Sequence, residues 1–130
     1  MNNTNVTLSS FRPPLTALVQ GASRGIGLEF ARLLLADPVV GCVYASCRAP
    51  DRATELQCLI QAGGERIQAL TMDVTDEASI AEVAQGLAEN DRTLDLIINC
   101  AGVLHDGDLQ PERRLADIDP DHMLRSYQVN

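Results

Sequence analysis

Three glycines stand at G-x-x-x-G-x-G spacing in the run Gly21-Ala22-Ser23-Arg24-Gly25-Ile26-Gly27. The run follows a short apolar stretch, residues 15–20 (LTALVQ), and opens a helical pattern. Gly21 permits a tight turn, Gly25 lets backbone approach a ligand, and Gly27 lets the helix pack close to a sheet. A helix that begins there offers unpaired N–H groups and its positive end to a phosphate or pyrophosphate. The strand before and the helix after supply the context that makes such a triplet specific; a glycine-rich turn without a ligand is the plainer alternative.

Other chemistries are excluded by residue type. All ten basic residues are Arg and Lys is absent, which removes Schiff-base chemistry and a P-loop lysine. Only Tyr44 and Tyr127 could act as phenolic acids. The four cysteines, Cys42, Cys47, Cys58 and Cys100, form no CxxC pair and, with His105 and His122, no zinc-ligand spacing, so no structural zinc site is expected. Cys42 and Cys47 are an odd number apart on an expected strand and face opposite sides; buried, reduced thiols are expected. Asp106, Asp108, Asp117, Asp119 and Asp121, with the two histidines, do not match a calcium loop, because no Glu follows Asp106 at the twelfth position. They read as a solvated loop and helix cap, Glu112-Arg113-Arg114 as surface charge, and Met72 and Met123 as core packing.

The elements that must position the loop follow from periodicity. Residues 15–20 form a buried strand. A helix over residues 25–35 is expected to turn Ile26, Phe30, Leu33 and Leu34 inward, closed by Asp37-Pro38. A strand over residues 39–46 leads through a turn at residues 48–51 to a helix over residues 53–61, with Leu56, Leu59 and Ile60 inward and Gly63-Gly64 ending it. A third strand covers residues 67–72, Thr75 caps a helix reaching about residue 89, and a fourth strand covers residues 94–99. Residues 100–120 are a polar connection, after which Asp119 or Asp121 caps a helix still running at Asn130. Strand and helix alternate as in an α/β, doubly wound, Rossmann-type parallel sheet, truncated after the fourth strand and the start of the following helix. The expected layout is a disordered lead over residues 1–14 and a partial dinucleotide-binding domain over residues 15–130.

The 130 residues suit a single domain. Ten basic against 18 acidic residues give a net charge of −8, which disfavours nucleic acid and anionic membrane surfaces. The lead has no basic and apolar segments of a secretory signal, no apolar run approaches ~20 residues, and the N-x-T sequences at Asn2 and Asn5 are read as chance. A cytoplasmic protein is expected.

The glycine spacing resembles the cofactor loop of the short-chain dehydrogenase/reductase family, and three further matches lie in order. Asp73-Val74 follows the third strand, where the family holds the adenine amine. Asn99-Cys100-Ala101-Gly102 is similar to the family's N-N-A-G, with Cys in place of the second Asn, whose amide hydrogen bonds a thiol does not replace. Val129-Asn130 is similar to the family's V-N, whose Asn belongs to the catalytic tetrad. The resemblance implies a nicotinamide dinucleotide with its phosphates on Gly21, Ser23, Arg24, Gly25, Ile26 and Gly27. It implies adenine at Asp73 and Val74, nicotinamide ribose at Asn99, Ala101 and Gly102, and a catalytic role for Asn130. Within the family, residues 43–48 look closest to carbonyl reductases of the C-factor and sniffer type.

An NAD site carries an acid ~20 residues past the glycines. Here Ser46, Cys47 and Arg48 occupy that region, and Arg24 lies in the loop. Two guanidiniums suit a 2′-phosphate, so NADP(H) is preferred over NAD(H), the alternative being solvated surface charges. The family's Ser and Tyr-x-x-x-Lys are expected beyond Asn130. Tyr44-Ala45-Ser46-Cys47-Arg48 puts Arg in place of Lys and lies on a strand, and Tyr127 is followed by only three residues. The substrate of a longer form would be a small carbonyl or alcohol. A second reading is a non-catalytic fragment or isoform that binds nucleotide, or a full-length partner or second copy through its last helix. A third is an incomplete gene product without function. In strand order 3-2-1-4-5-6 the fourth strand is interior; here Leu96, Ile97 and Ile98 are expected to form an exposed apolar edge.

Overall fold

The computed structural model describes Leu8, residues 11–102 and residues 114–130. Among these, four strands alternate with four α-helices: β1 Leu15–Gln20, α1 Gly25–Ala36, β2 Val40–Cys47, α2 Thr54–Gly63, β3 Ile67–Thr71, α3 Glu77–Glu89, β4 Leu96–Asn99 and α4 Pro120–Val129. Every strand pairing is parallel, in the order β3-β2-β1-β4. The expected doubly wound sheet is the sheet observed.

Register decides which side chains meet. Ala17 pairs with Val43 on one side and Leu96 on the other, and Val43 pairs with Ile67. These residues share one face, where Leu28, Ala31 and Leu34 of α1 and Leu56 of α2 complete the core. On the opposite face Tyr44 and Leu70 line a cavity together with Val83 and Leu87 of α3. Burial on both faces explains why the central strands are apolar runs rather than alternating ones. Burial also pushes the Tyr44 hydroxyl pKa up, reinforced by the neighbouring Cys42.

The inward face of α1 differs from the expected one. Ile26 (74% exposed), Phe30 (38%) and Leu33 (59%) point outward, while Gly27, Leu28, Ala31 and Leu34 are buried. The cause is close approach: a β-carbon on Gly27 would strike the Gly21 carbonyl oxygen and crowd Cys100 Cβ. That contact sets the rotation of the helix and overrides the stripe of larger side chains.

Several local expectations are also corrected. Asp76, not Thr75, caps α3 by accepting from the Ala78 N–H at 3.0 Å. Thr75 is drawn away by a carboxylate, donating its N–H and hydroxyl to Asp73 Oδ1 at 2.9 and 2.7 Å. β4 begins at Leu96 because Asp95 occupies the preceding position with its side chain: Asp95 Oδ2 accepts from the Thr16 N–H at 2.8 Å, and the Asp95 N–H donates to the Thr16 carbonyl at 2.9 Å. Of the two candidate caps of α4, Asp119 is the cap, accepting from the Asp121 and His122 N–H groups with Pro120 opening the helix.

Met72 is buried as expected, but Met123 is exposed on α4, a helix with no buried residue. All four thiols are free, with Cys47 buried but Cys58 exposed on the outer side of α2. From the lead, Leu8 and Phe11 pack against the core. His105, Asp106, Asp108, Glu112 and Arg113 lie outside the described residues. No helix among the described residues is long and apolar enough to cross a membrane.

Candidate functional site

Gln20 at the end of β1 lies between Ser46 of β2 and Asn99 of β4, and Cys47 lies beside Thr71 of β3. The glycine loop, residues 46–48, Asp73-Val74 and residues 99–102 therefore gather along one edge of the sheet, at the carboxyl ends of the strands. β1 is the strand from which the order runs outward in both directions, the place where open α/β sheets form a ligand crevice.

Backbone hydrogen bonds join the strand ends. The Gly21 and Ala22 N–H groups both donate to the Ser46 carbonyl at 3.0 Å, the Cys100 N–H to the Gln20 carbonyl at 2.9 Å, and the Met72 N–H to the Cys47 carbonyl at 3.0 Å. Above them opens a cleft of about 320 Å³. It is lined by Gly21, Ser23, Arg24, Gly25, Ile26 and Gly27, by Arg48, by Asp73 and Val74, and by Ala101 and Gly102.

The glycines meet different needs. Gly21 has φ +77°, and a β-carbon there would come within 2.6 Å of the Ala101 nitrogen. Gly25 has φ +58° and no neighbouring atom within 4 Å of where a β-carbon would stand, so its backbone faces open space. Arg24 is the N-cap of α1 and its side chain makes no capping hydrogen bond. A guanidinium has no acceptor to offer the first-turn N–H groups, so the N-cap side chain does not satisfy them.

Asp73 is the cleft's carboxylate. The Thr75 hydroxyl and N–H, both on Oδ1, hold its pKa below the ordinary aspartate value, and Arg125 and Arg48 add to this. Its own N–H donates to Ser79 Oγ at 3.0 Å. The Cys47 thiol is pushed up by burial.

Two residues assigned from sequence do not line the cleft. Asn99 accepts from the Ala101 N–H at 3.2 Å and shapes the turn. Asn130 terminates α4, its N–H donating to the Ser126 carbonyl at 2.9 Å and its amide to Ser126 Oγ at 3.2 Å. A β-carbon on Gly102 would stand 3.3 Å from Asn130 Oδ1, so Gly102 makes room for that side chain. The sequence reading missed Ser46, Cys47, Met72, Cys100, Arg125 and Val129 as lining residues. Ser46, Cys47, Met72 and Cys100 adjoin recognised motifs. Arg125 and Val129 are four apart on a helix, a spacing that could have placed them on one face.

The family model described as short chain dehydrogenase matches residues 15–130. The chain is 34% identical over 100 residues to the short-chain dehydrogenase/reductase eupG of a Phoma species, covering 73% of this chain and 36% of that protein. Its structure is similar to that of a carbonyl reductase from Pseudomonas aeruginosa PAO1 in complex with NADP, with TM-score 0.74 and 30% identity over 88% of this chain and 49% of that one. It is also similar to an NADPH-bound carbonyl reductase from chicken fatty liver, with TM-score 0.72 and 34% identity over 93% of this chain and 45% of that one. The chain spans half or less of the length of these three relatives. On the family match, the shared parallel sheet and the glycine loop at its carboxyl edge, this chain belongs to the short-chain dehydrogenase family.

Proposed function

We propose that residues 15–130 form the dinucleotide-binding part of an NADP(H)-dependent oxidoreductase acting on a small carbonyl or alcohol. The observation that carries this reading is that Arg24 and Arg48 line the same cleft as the glycine loop. The cofactor, when bound, supplies or accepts the hydride. The open backbone at Gly25 and the first-turn N–H groups of α1 would receive the pyrophosphate. Arg24 and Arg48 would meet the 2′-phosphate through charge-assisted bonds, in a region with no competing acid at positions 46–48. Asp73 takes both Thr75 hydrogen bonds on Oδ1, so Oδ2 can accept from the adenine amine beside Val74. Asn99 would hold the turn whose Ala101 and Gly102 line the nicotinamide ribose, with Asn130 as the tetrad member. The NADP and NADPH complexes of the two similar reductases support this cofactor class. Four free cysteines fit a reducing, cytoplasmic setting.

The absence of Lys from the 130 residues favours a narrower version, in which this chain binds the cofactor and does not turn over by itself. Fluorescence titration of the purified chain with NADPH and NADH tests both. Saturable binding with NADPH the tighter is expected, with no oxidation of NADPH by a carbonyl panel. Equal affinities would defeat the 2′-phosphate assignment, and no binding by a folded chain would defeat the reading as a whole.

A further inference from the structure

Arg125 reaches the cleft from α4, the element farthest in sequence from the glycine loop. Val129, one turn later, lines the same cleft, and both residues are half-buried while Met123, Leu124 and Tyr127 are exposed. Residues 125 and 129 thus form the one side of α4 that meets the nucleotide site. Met72, Asp73 and Val74, just after β3, line the same cleft. Arg125 and Arg48 both act on the Asp73 carboxylate, adding to the Thr75 hydrogen bonds that lower its pKa.

We propose that Arg125 is an adenine-binding residue of this chain, its guanidinium plane covering one face of the purine whose edge is read at Asp73. This rests on the dinucleotide reading above. The chemistry of the surroundings selects a purine face over a further phosphate. Arg24 and Arg48 already stand on the loop and β2 sides. Arg125 comes instead from α4, and the cleft it lines also has the apolar Met72, Val74 and Val129 in its wall, which suit a flat ring. A guanidinium is planar and weakly hydrated, and it lays its whole plane on an aromatic face, where an ammonium offers a strongly hydrated point charge. The same contact would tie α4 to the sheet through the ligand, because α4 buries no residue of its own.

The test is titration of the 130-residue chain and of R125M, R125K and R48M with NADPH and with NADH. R125M is expected to weaken both by the same factor, between about threefold and 30-fold, leaving the NADPH-to-NADH ratio unchanged. R125K is expected to fall with R125M, and R48M to collapse the ratio. Loss confined to NADPH in R125M would make Arg125 a phosphate ligand, and wild-type affinity in R125K would show that charge without planarity suffices; either overturns the stacking assignment. Unchanged affinity in R125M would overturn it outright while leaving the dinucleotide reading intact. If the wild-type chain binds neither dinucleotide, that parent reading fails and the assignment falls with it. Circular dichroism checks each variant's fold, and R125K stands in if R125M does not fold.

Discussion

A β-carbon at Gly27 would collide with the carbonyl oxygen of Gly21, so the first and third glycines of the loop touch across the mouth of the cleft. A β-carbon on Gly25, between them, would meet no atom within 4 Å. The contrast separates stability from binding. Gly27→Ala is expected to destabilise the fold by about 1–3 kcal/mol, because the α1 backbone must move off β1. Gly25→Ala has room for its methyl and carries only the strain of a positive φ, about 1–2 kcal/mol, yet should abolish dinucleotide binding by filling the anion's approach. Thermal melts paired with NADPH titration check this. A Gly25→Ala chain that still binds would remove the phosphate role from that position.

Arg48→Ala and Arg24→Ala are each expected to weaken NADPH binding about tenfold and NADH binding far less, since one charge-assisted contact is worth about 1.5–3 kcal/mol. The NADPH preference should shrink as salt rises, because both guanidiniums are exposed. Titrations at low and high ionic strength read it out. A salt-independent preference would point to shape rather than charge.

Asp73 gives a pH prediction. Its pKa is held down chiefly by the Thr75 hydrogen bonds, so folding is favoured by its ionised form. For a depressed acid the stabilisation is complete above the unfolded value, about pH 4, and is lost as pH falls through the lower folded value. Wild type and Asp73→Asn should therefore differ in melting temperature by a constant amount from neutral pH down to about 4 and converge below it. A gap that closes well above that range would assign the effect to another group.

Ile97 is 57% exposed on β4, an edge strand of the sheet among the described residues. An exposed apolar strand edge favours association. Ile97→Lys is expected to raise the concentration at which the chain stays monodisperse by light scattering, with unchanged secondary structure. An unchanged threshold would shift attention to the Ile26, Phe30 and Leu33 stripe of α1.

Leu56 is fully buried and anchors α2 to the core. Leu56→Ala should cost about 2–5 kcal/mol, read from denaturant midpoints, with NADPH affinity of the folded fraction preserved. A binding loss without destabilisation would contradict a purely structural role.

The amino-acid sequence by itself determined the alternation of strands and helices, because each strand is a short, largely apolar run and each is followed by a stretch of helical periodicity. It also determined the loop's chemistry, since Gly21, Gly25 and Gly27 act through backbone that is contiguous in the chain. Tertiary structure alone decided the rotation of α1. Two apolar stripes compete there, and the contact of Gly27 with Gly21 selects Leu28, Ala31 and Leu34 over Ile26, Phe30 and Leu33. It alone moved the cap of α3 from Thr75 to Asp76, because Asp73 is the stronger acceptor for the Thr75 donors. It alone brought Arg125 to Asp73, residues 52 positions apart whose approach depends on where α4 returns over the sheet and not on any local pattern.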